Sequence, residues 1–301
     1  MRLIDVFAAS PALFCTACAV VGLMVGSFLN VVIHRLPLML QRQWREECAE
    51  LARGTDSMAS PAAEPFNLMV PRSACPACRA PITAWQNIPI IGFVLLHGRC
   101  AACGTSISAR YPIVEALTAL MSAAVAWKFG FGLAAFSGIL LTWFLIALAF
   151  IDFDHQLLPD SLTLSLLWLG LFLSLWGARE SGATLPVDLR ESVIGAIAGY
   201  ASLWGVYQLF RLATGKEGMG YGDFKLLSAL GAWLGWQMLL PIVLSAAAVG
   251  AVAGILMLSI QGRDRTTPVA FGPYLAASGW LMLMLGHEIV QRYMGLFAER
   301  S

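Results

Sequence analysis

Charge is scarce in this chain of 301 residues: only 12% of them are Asp, Glu, Lys or Arg, whereas 58% are hydrophobic. Soluble domains carry roughly 25% charged residues, so this composition excludes an ordinary soluble protein and predicts a membrane protein. The net charge of +1, without a long basic run, argues against a nucleic-acid partner. The first apolar run is too long for a cleavable signal peptide, and we expect it to remain as a membrane helix.

The sequence also lacks several common signatures of catalysis. It contains neither a His-Glu-x-x-His motif nor a Gly-x-Ser-x-Gly motif, so nothing indicates a zinc peptidase or a serine hydrolase of the usual kinds. No Gly-rich nucleotide-binding fingerprint follows a predicted strand. We find no internal repeat. The best remaining candidates for catalysis are the carboxylates placed beside the apolar runs.

Long runs with almost no charge predict the transmembrane helices, since about 20 apolar residues cross a bilayer. They cover residues 11–33, 112–127, 131–151, 161–178, 192–210 and 266–286, and a longer run at 226–262 divides near Gly235 and Pro241. The predicted fold class is an all-α polytopic membrane protein with about eight transmembrane helices. Residues 1–33 would form the first helix, 34–111 a zinc-binding loop domain and 112–301 the transmembrane core. Lys and Arg near the helix ends place that loop in the cytoplasm.

Four cysteines in the polar loop form two Cys-x-x-Cys pairs, Cys75 with Cys78 and Cys100 with Cys103. Four thiolates complete the tetrahedral coordination of zinc and leave no open position for a catalytic water, so we predict a structural zinc site. The metal would stabilise a loop that has few apolar residues for a core of its own. Cys15 and Cys18 have the same spacing but lie in the first apolar run, where small packing residues are the better interpretation.

Two segments carry aspartates at the edges of apolar runs, where an ionised carboxylate is costly and usually functional. Asp152 follows the uncharged run 131–151, although a basic residue would be favoured at a helix C-terminus. Asp154 is two residues further on, and we assign it a supporting role. Asp160 precedes an apolar helix, and helix N-capping explains it. Together with Asp154, Gly220 and Gly222 it is also a candidate for a supporting role. Asp223 also begins a helix, so capping and catalysis are both open.

Two glycines shift the interpretation of Asp223 towards catalysis. Gly220 and Gly222 lie three residues and one residue before it. Glycine permits backbone conformations that other residues avoid and leaves room for a substrate chain. Two neighbouring carboxylates can share a proton, hold a water and cleave a peptide bond without a metal or a nucleophilic side chain. Asp152 and Asp223 are therefore the candidate catalytic pair.

Taken together, these residues resemble the bacterial type IV prepilin peptidase family over nearly the whole chain. The resemblance covers Gly26 to Pro37, both cysteine pairs, Arg110-Tyr111-Pro112 with Glu115, Ile151 to Asp160, Lys216 to Lys225, and Phe271-Gly272-Pro273-Tyr274. It implies an aspartic protease of the Gly-x-Gly-Asp class in the bacterial inner membrane, with its active site facing the cytoplasm.

The resemblance further implies two activities. Members of the family cut the leader from type IV prepilins and type II secretion pseudopilins after a glycine. They then methylate the new N-terminal residue with S-adenosylmethionine. The catalytic aspartates of the family match Asp152 and Asp223, and its zinc ligands match the four loop cysteines. We expect the loop to contribute to the methyl-donor site, with Gly98 as a member.

Three alternatives remain open at this stage. The first is a leader peptidase without methyltransferase activity, although the doubled cysteine motif argues against it. The second is a non-enzymatic component of pilus or secretion assembly, in which the carboxylates only cap helices. The third is a transporter, since buried acids also mark proton paths, but here the acids cluster at one predicted membrane face.

Overall fold

The computed structural model describes residues 3–53, 66–177, 185–216, 218–261 and 270–298, and this part of the chain is almost entirely helical. The all-α fold class is therefore confirmed. The helices are α1 (Leu3–Ala9), α2 (Pro11–Arg53), α3 (Ile91–Leu95), α4 (Arg110–Phe129), α5 (Leu133–His155), α6 (Asp160–Leu173), α7 (Leu189–Thr214), α8 (Tyr221–Leu234), α9 (Leu239–Gln261) and α10 (Gly272–Ala298). Short 3₁₀ turns follow α6 and α8.

Five helical segments of the described residues are long and apolar enough to cross a membrane: α2, α4, α5, α7 and the segment Trp236–Leu256. Residues Asp160–Trp176 form a shorter apolar helix. The division of the run 226–262 is confirmed, because α8 ends at Leu234 and α9 begins at Leu239. The total of eight spans stays a prediction, and residues 266–269 of the last predicted span lie outside the described residues.

Helix α2 differs most from the prediction. It was expected to end at Ile33, but it continues through Pro37 to Arg53. The segment after Pro37 is rich in Leu, Gln, Arg and Glu, all of which favour helix even where they are polar. Its 43 residues span about 64 Å at the α-helical rise, whereas the hydrocarbon core of a bilayer is about 30 Å thick. Roughly half of α2 therefore extends beyond the hydrocarbon.

The contacts within the chain divide it into two compact units, Ala17–Leu120 and a second unit made of Met1–Thr16 and Met121–Ser301. In the first unit, α2 and α4 approach closely at Gly26, where an added Cβ would lie 2.8 Å from the Cα of Glu115. Asn30 Nδ2 donates a hydrogen bond to the carbonyl oxygen of Tyr111 at 3.1 Å. These contacts fix the end of α4 that follows the cysteine-rich loop.

In the second unit, α8 is the central helix. All its residues from Asp223 to Leu234 except Lys225 are buried, and its neighbours are α7, α6 and α10. A glycine on each neighbour allows the close approach: Gly195 of α7 against the backbone of Gly231, Gly170 of α6 against Trp233, and Gly279 of α10 against Leu230. Small residues at helix contacts are typical of membrane proteins, where packing replaces the hydrophobic driving force.

Serine hydroxyls reinforce the contact between α7 and α8. Ser192 Oγ donates to the carbonyl oxygen of Ala232 at 2.6 Å, and Ser228 Oγ donates to that of Ala196 at 2.7 Å. Helix α10 packs against α5 as well as α8, and Trp280 Nε1 donates to Thr142 Oγ1 at 3.2 Å. Helix α10 thus links α5, which carries Asp152, to α8, which carries Asp223.

Candidate active site and metal centre

Asp152 lies in the last turn of α5, which continues to His155 instead of ending at the predicted residue 151. The helix ends because Gln156 adopts a left-handed conformation at φ 51° and its N–H bonds the carbonyl oxygen of Asp152 at 2.8 Å. The Asp152 side chain is only 5% exposed. The carboxyl group of Asp152 is therefore buried at the end of the helix. The basic residue in this last turn of α5 is His155, and its side chain is exposed.

Asp223 is the third residue of α8 and is 8% exposed. The N-cap of this helix is Gly220, and no side chain caps it. The capping interpretation of Asp223, which the sequence left open, is therefore wrong. Within the described part of the chain, its carboxyl group accepts no hydrogen bond.

The structure brings these two aspartates together. The charge of Asp152 acts electrostatically on Asp223. The buried side chain of Leu158 packs against Gly222, which precedes Asp223, and against Gly272, which bonds Asp152. A Cβ added at Gly222 would lie 2.7 Å from Leu158 Cβ, and one added at Gly272 would lie 3.2 Å from Leu158 Cδ1. The N–H of Gly272 donates to Asp152 Oδ2 at 3.0 Å. Two buried carboxyl groups from distant parts of the sequence thus lie close enough to interact electrostatically.

The two glycines before Asp223 have different roles. Gly220 adopts φ −79° and ψ 146°, which any residue tolerates, and nothing lies within 4 Å of its missing Cβ. Gly222 is required by the close approach of Leu158. The expectation of a special backbone conformation is therefore wrong for both, because neither has a positive φ. Open space beside Gly220 is consistent with room for a substrate chain.

The other two predicted carboxylates lie at the edge of the site. Asp160 does not cap α6: the N-cap is Pro159, whose carbonyl oxygen accepts from the N–H groups of Leu162 and Thr163. Its carboxylate instead accepts two hydrogen bonds from Lys225 Nζ, at 2.6 and 2.7 Å. This ion pair joins the starts of α6 and α8. Asp154 is exposed.

An aromatic cluster beside Asp223 escaped the sequence analysis. Phe224 is fully buried, and its ring lies 5.6 Å from that of Tyr207 and 5.5 Å from that of Tyr221. The rings of Tyr207 and Tyr221 are 5.5 Å apart. Aromatic pairs at such distances add stabilisation beyond buried area. The cluster fixes the start of α8 against α7, and the Tyr-x-x-Phe spacing within α8 was a signal for it.

The four loop cysteines converge in the first unit as predicted. Their Sγ atoms all lie within 4.8 Å of one another, with Cys75 and Cys103 at 3.8 Å and Cys78 and Cys100 at 3.9 Å. Tetrahedral zinc with bonds of about 2.3 Å requires sulfur atoms about 3.8 Å apart. The donor set and the spacing therefore fit a metal ion with four thiolate ligands.

Two identical backbone turns present the thiols. Cys75 N–H bonds the carbonyl oxygen of Ala80 and Cys100 N–H that of Thr105, at 2.9 and 2.8 Å. The matching bridges are Ala74 with Pro81 and Arg99 with Ser106. The loop thus contains a short structural repeat, which the sequence analysis missed because only the cysteines and a few flanking residues are shared.

Two of the thiols have pKa values below that of an ordinary cysteine. For Cys78, a backbone hydrogen bond from Ala80 lowers the pKa, but the hydrogen bonds with the other three thiols outweigh it and raise the pKa to about 11. Backbone N–H groups of Cys78 and Ala77 lower the pKa of Cys75. Hydrogen bonds from the hydroxyl and backbone of Thr105 lower the pKa of Cys103 to about 6. Because metal ligands must be thiolates, these hydrogen bonds favour the metal-binding form.

Gly98 lies at the turn that leads into the second cysteine pair. Its φ is +67°, and an added Cβ would lie 3.0 Å from Phe93 Cζ. Its carbonyl oxygen accepts from Ile107 N–H at 2.7 Å. The turn itself therefore requires glycine, and a role in methyl-donor binding stays a prediction.

Glu115 ties the loop to the helices of its unit. Its side chain is buried, and Oε2 accepts a hydrogen bond from the N–H of Ile90 at 2.8 Å. Ile90 has φ 58° and precedes α3. The carboxylate thus holds a strained loop residue directly against α4.

Comparisons with known proteins agree with this arrangement. Residues 20–129 match the model of the bacterial peptidase A24 N-terminal domain, and residues 139–255 match that of the type IV leader peptidase family. A relative from Stutzerimonas stutzeri is 50% identical over 294 residues, covering 98% of both chains. Relatives from Pseudomonas aeruginosa and Neisseria gonorrhoeae are both 48% identical, covering 98% and 90% of both chains respectively. No solved structure matches the chain.

All three relatives bear the name prepilin leader peptidase/N-methyltransferase. The two family models together include both cysteine pairs and both candidate catalytic aspartates. With about half of its residues identical to such relatives over nearly its full length, this chain belongs to the type IV leader peptidase family.

Proposed function

We propose that this protein removes the leader peptide from type IV prepilins and type II secretion pseudopilins, using Asp152 and Asp223, and methylates the new N-terminus. The observation that carries the peptidase assignment is the burial of two electrostatically coupled carboxyl groups, one at the end of α5 and one at the start of α8. Family membership supports both activities. It also weighs against a transporter or a non-enzymatic assembly component.

The peptidase reaction needs one ionised and one protonated carboxyl group. The ionised member accepts a proton from a water molecule as its oxygen attacks the scissile carbonyl carbon. The protonated member donates its proton to the carbonyl oxygen, giving a neutral tetrahedral intermediate. Collapse of this intermediate breaks the C–N bond, and a proton passes to the leaving amine. No covalent bond to the enzyme forms.

The apolar helices support an enzyme embedded in a membrane, and family membership supports the bacterial inner membrane as its site. We place the active site at the cytoplasmic face, where the leaders of the substrates lie before cleavage. Gly220, three residues before Asp223, leaves open space at the start of α8. An extended substrate backbone can approach the carboxyl groups there, since no side chain of this residue obstructs it.

Methyl transfer is assigned to the cysteine-rich unit. S-adenosylmethionine supplies the methyl group, which the new N-terminal amine accepts with loss of a proton. Cys75, Cys78, Cys100 and Cys103 would hold one zinc ion in a structural role, because four thiolates leave no position for water. We assign Gly98 to the edge of the methyl-donor site, and its turn, which leads to Cys100, supports this assignment.

The test is to incubate the purified protein with a prepilin and labelled S-adenosylmethionine and to follow both products by mass spectrometry. Loss of the leader and the gain of one methyl group on the mature protein are the expected results. Cleavage without methylation would reject the second activity, and an intact prepilin would reject the first.

A further inference from the structure

The start of α10 leaves one backbone donor facing the active site. The first N–H groups of an α-helix have no partner within the helix. Pro273 has no N–H, and the N–H groups of Tyr274 and Leu275 both bond the carbonyl oxygen of Phe271 at 3.1 Å. The N–H of Gly272 is the donor that remains, and it bonds Asp152 Oδ2 at 3.0 Å.

This donor stabilises the charged form of Asp152. A backbone N–H can only donate, and a hydrogen bond to an ionised carboxylate is stronger than one to a neutral acceptor. Helix α10 is 27 residues long, so the positive end of its macrodipole also faces the carboxylate. Both effects act on Asp152.

The backbone at residue 272 lies so close to the Asp152 carboxyl group that only glycine fits there. A Cβ there would lie 2.6 Å from Asp152 Oδ2 and 3.0 Å from its Cγ. The φ of Gly272 is not positive, so backbone conformation does not explain the glycine. The requirement is the direct approach of the chain to the carboxylate.

Asp223 has the opposite surroundings. It is buried, none of the described residues donates to its carboxyl group, and the charge of Asp152 acts on it. The other charged groups near the pair do not remove this difference between a hydrogen-bonded Asp152 and an Asp223 without a donor among the described residues. Lys225 is paired with Asp160, Asp154 and His155 are exposed at the end of α5, and the first turn of α10 has no acidic residue.

We infer that Gly272 is a positioning residue that holds Asp152 as the ionised member of the pair, so that Asp223 carries the shared proton. Asp152 then takes the proton from water, and Asp223 protonates the scissile carbonyl oxygen. This inference rests on the proposed function and adds the order of protonation to it.

The first experiment compares the pH dependence of kcat/KM for leader cleavage in the wild-type protein, Gly272→Ala and Gly205→Ala. Gly205, on α7, has nothing within 4 Å of its missing Cβ and serves as the matched control. The Cβ added in Gly272→Ala would push the N–H away from Asp152 Oδ2. Having lost this hydrogen bond, Asp152 would keep its proton to higher pH and be inactive there. The acid limb of Gly272→Ala should therefore move up by about one pH unit or more. The limb of Gly205→Ala should stay in place.

A second variant removes the N–H without adding a side chain. Replacing Gly272 by glycolic acid converts its amide to an ester, which deletes the donor and avoids the collision with Asp152. The acid limb should shift up as in Gly272→Ala, while methylation of a pre-cleaved pilin by the same preparation is retained. This variant decides the question if Gly272→Ala fails to fold.

The outcomes separate the two proposals. An unchanged acid limb in the ester variant overturns the inference about Gly272 and leaves the peptidase assignment standing. A wild-type protein that leaves prepilin intact at every pH rejects the proposed function itself.

Discussion

The backbone N–H of Gly272 donates to Asp152 Oδ2 at 3.0 Å, joining the start of α10 to the end of α5 across 120 residues of sequence. A sequence pattern identifies Asp152 by its place after an apolar run. The structure adds that Oδ2 is the hydrogen-bonded oxygen of Asp152 and that its donor is the backbone N–H of Gly272. Both aspartates are buried, but among the described residues only Asp152 receives a hydrogen bond of this kind.

Replacing either aspartate by asparagine should reduce leader cleavage by about 100-fold or more, because each carboxyl group transfers a proton that an amide cannot. Cleavage rates of Asp152→Asn and Asp223→Asn with a prepilin check this. Methylation of a pre-cleaved pilin should persist in both variants. Glu50→Gln, an exposed substitution on α2, is the control for loss of an acid elsewhere. Substantial cleavage by either asparagine variant would remove that residue from the mechanism.

The two glycines before Asp223 should respond differently to alanine. In Gly222→Ala the new Cβ would lie 2.7 Å from Leu158 Cβ, so the start of α8 must shift and cleavage should fall at least tenfold. In Gly220→Ala nothing lies within 4 Å of the new Cβ, so the protein should fold and keep its kcat. A rise in KM for prepilin in Gly220→Ala would mark the space that the substrate chain occupies. Equal loss of kcat in both variants would contradict the distinction.

Alanine at position 195 should destabilise the second unit. Its Cβ would collide with the backbone of Gly231, and overpacking of this kind costs about 1–3 kcal/mol. Gly205→Ala on the same helix meets nothing within 4 Å and should be neutral or stabilising by roughly 0.5–1 kcal/mol. Thermal unfolding of the two variants in the same detergent checks the prediction. Similar melting temperatures for both would show that α7 and α8 tolerate separation.

Removal of one loop thiol should release the metal. Cys75→Ser leaves three thiolates, and the bound zinc per chain, measured by elemental analysis, should fall to near zero after mild chelation. Methylation should fall with it, whereas leader cleavage should be affected less, because both aspartates lie in the other unit. Cys48→Ser is the matched control, since Cys48 is an exposed cysteine on α2. Methylation that survives complete zinc loss would contradict the placement of that activity.

The sequence predicted the cysteine cluster because it depends on residue type and local spacing. The same kind of signal identified Asp152 and Asp223, whose catalytic role stays a prediction. The sequence also predicted the break between α8 and α9, where Gly235 and the residues after it interrupt the apolar run. The predicted end of α2 at Ile33 was wrong. A helix can continue from the membrane into water, because its backbone hydrogen bonds are made within the helix and do not depend on apolar side chains. Asp160 was misread since its partner, Lys225, is 65 residues away.

The packing of α8 could be predicted only in part. After Lys225 nearly every residue of α8 is apolar, so no polar face indicates which side meets which neighbour and the periodicity carries little information. The four-residue spacing of Gly195 and Gly199 was the available signal, since small residues at that spacing favour close helix contacts in membranes. The roles of Gly222 and Gly272 could not be predicted from the sequence. Each glycine is needed because a side chain distant in sequence, Leu158 or Asp152, packs against it.

The duplicated turn of the cysteine loop has a consequence for how the ion is held. Each turn contributes two sulfur atoms, and the close cross-pairs join one turn to the other, Cys75 to Cys103 and Cys78 to Cys100. Neither half can therefore enclose a cation by itself. Uptake and release should be all-or-none, so a chelator titration should give one sigmoidal step in which both halves come apart together.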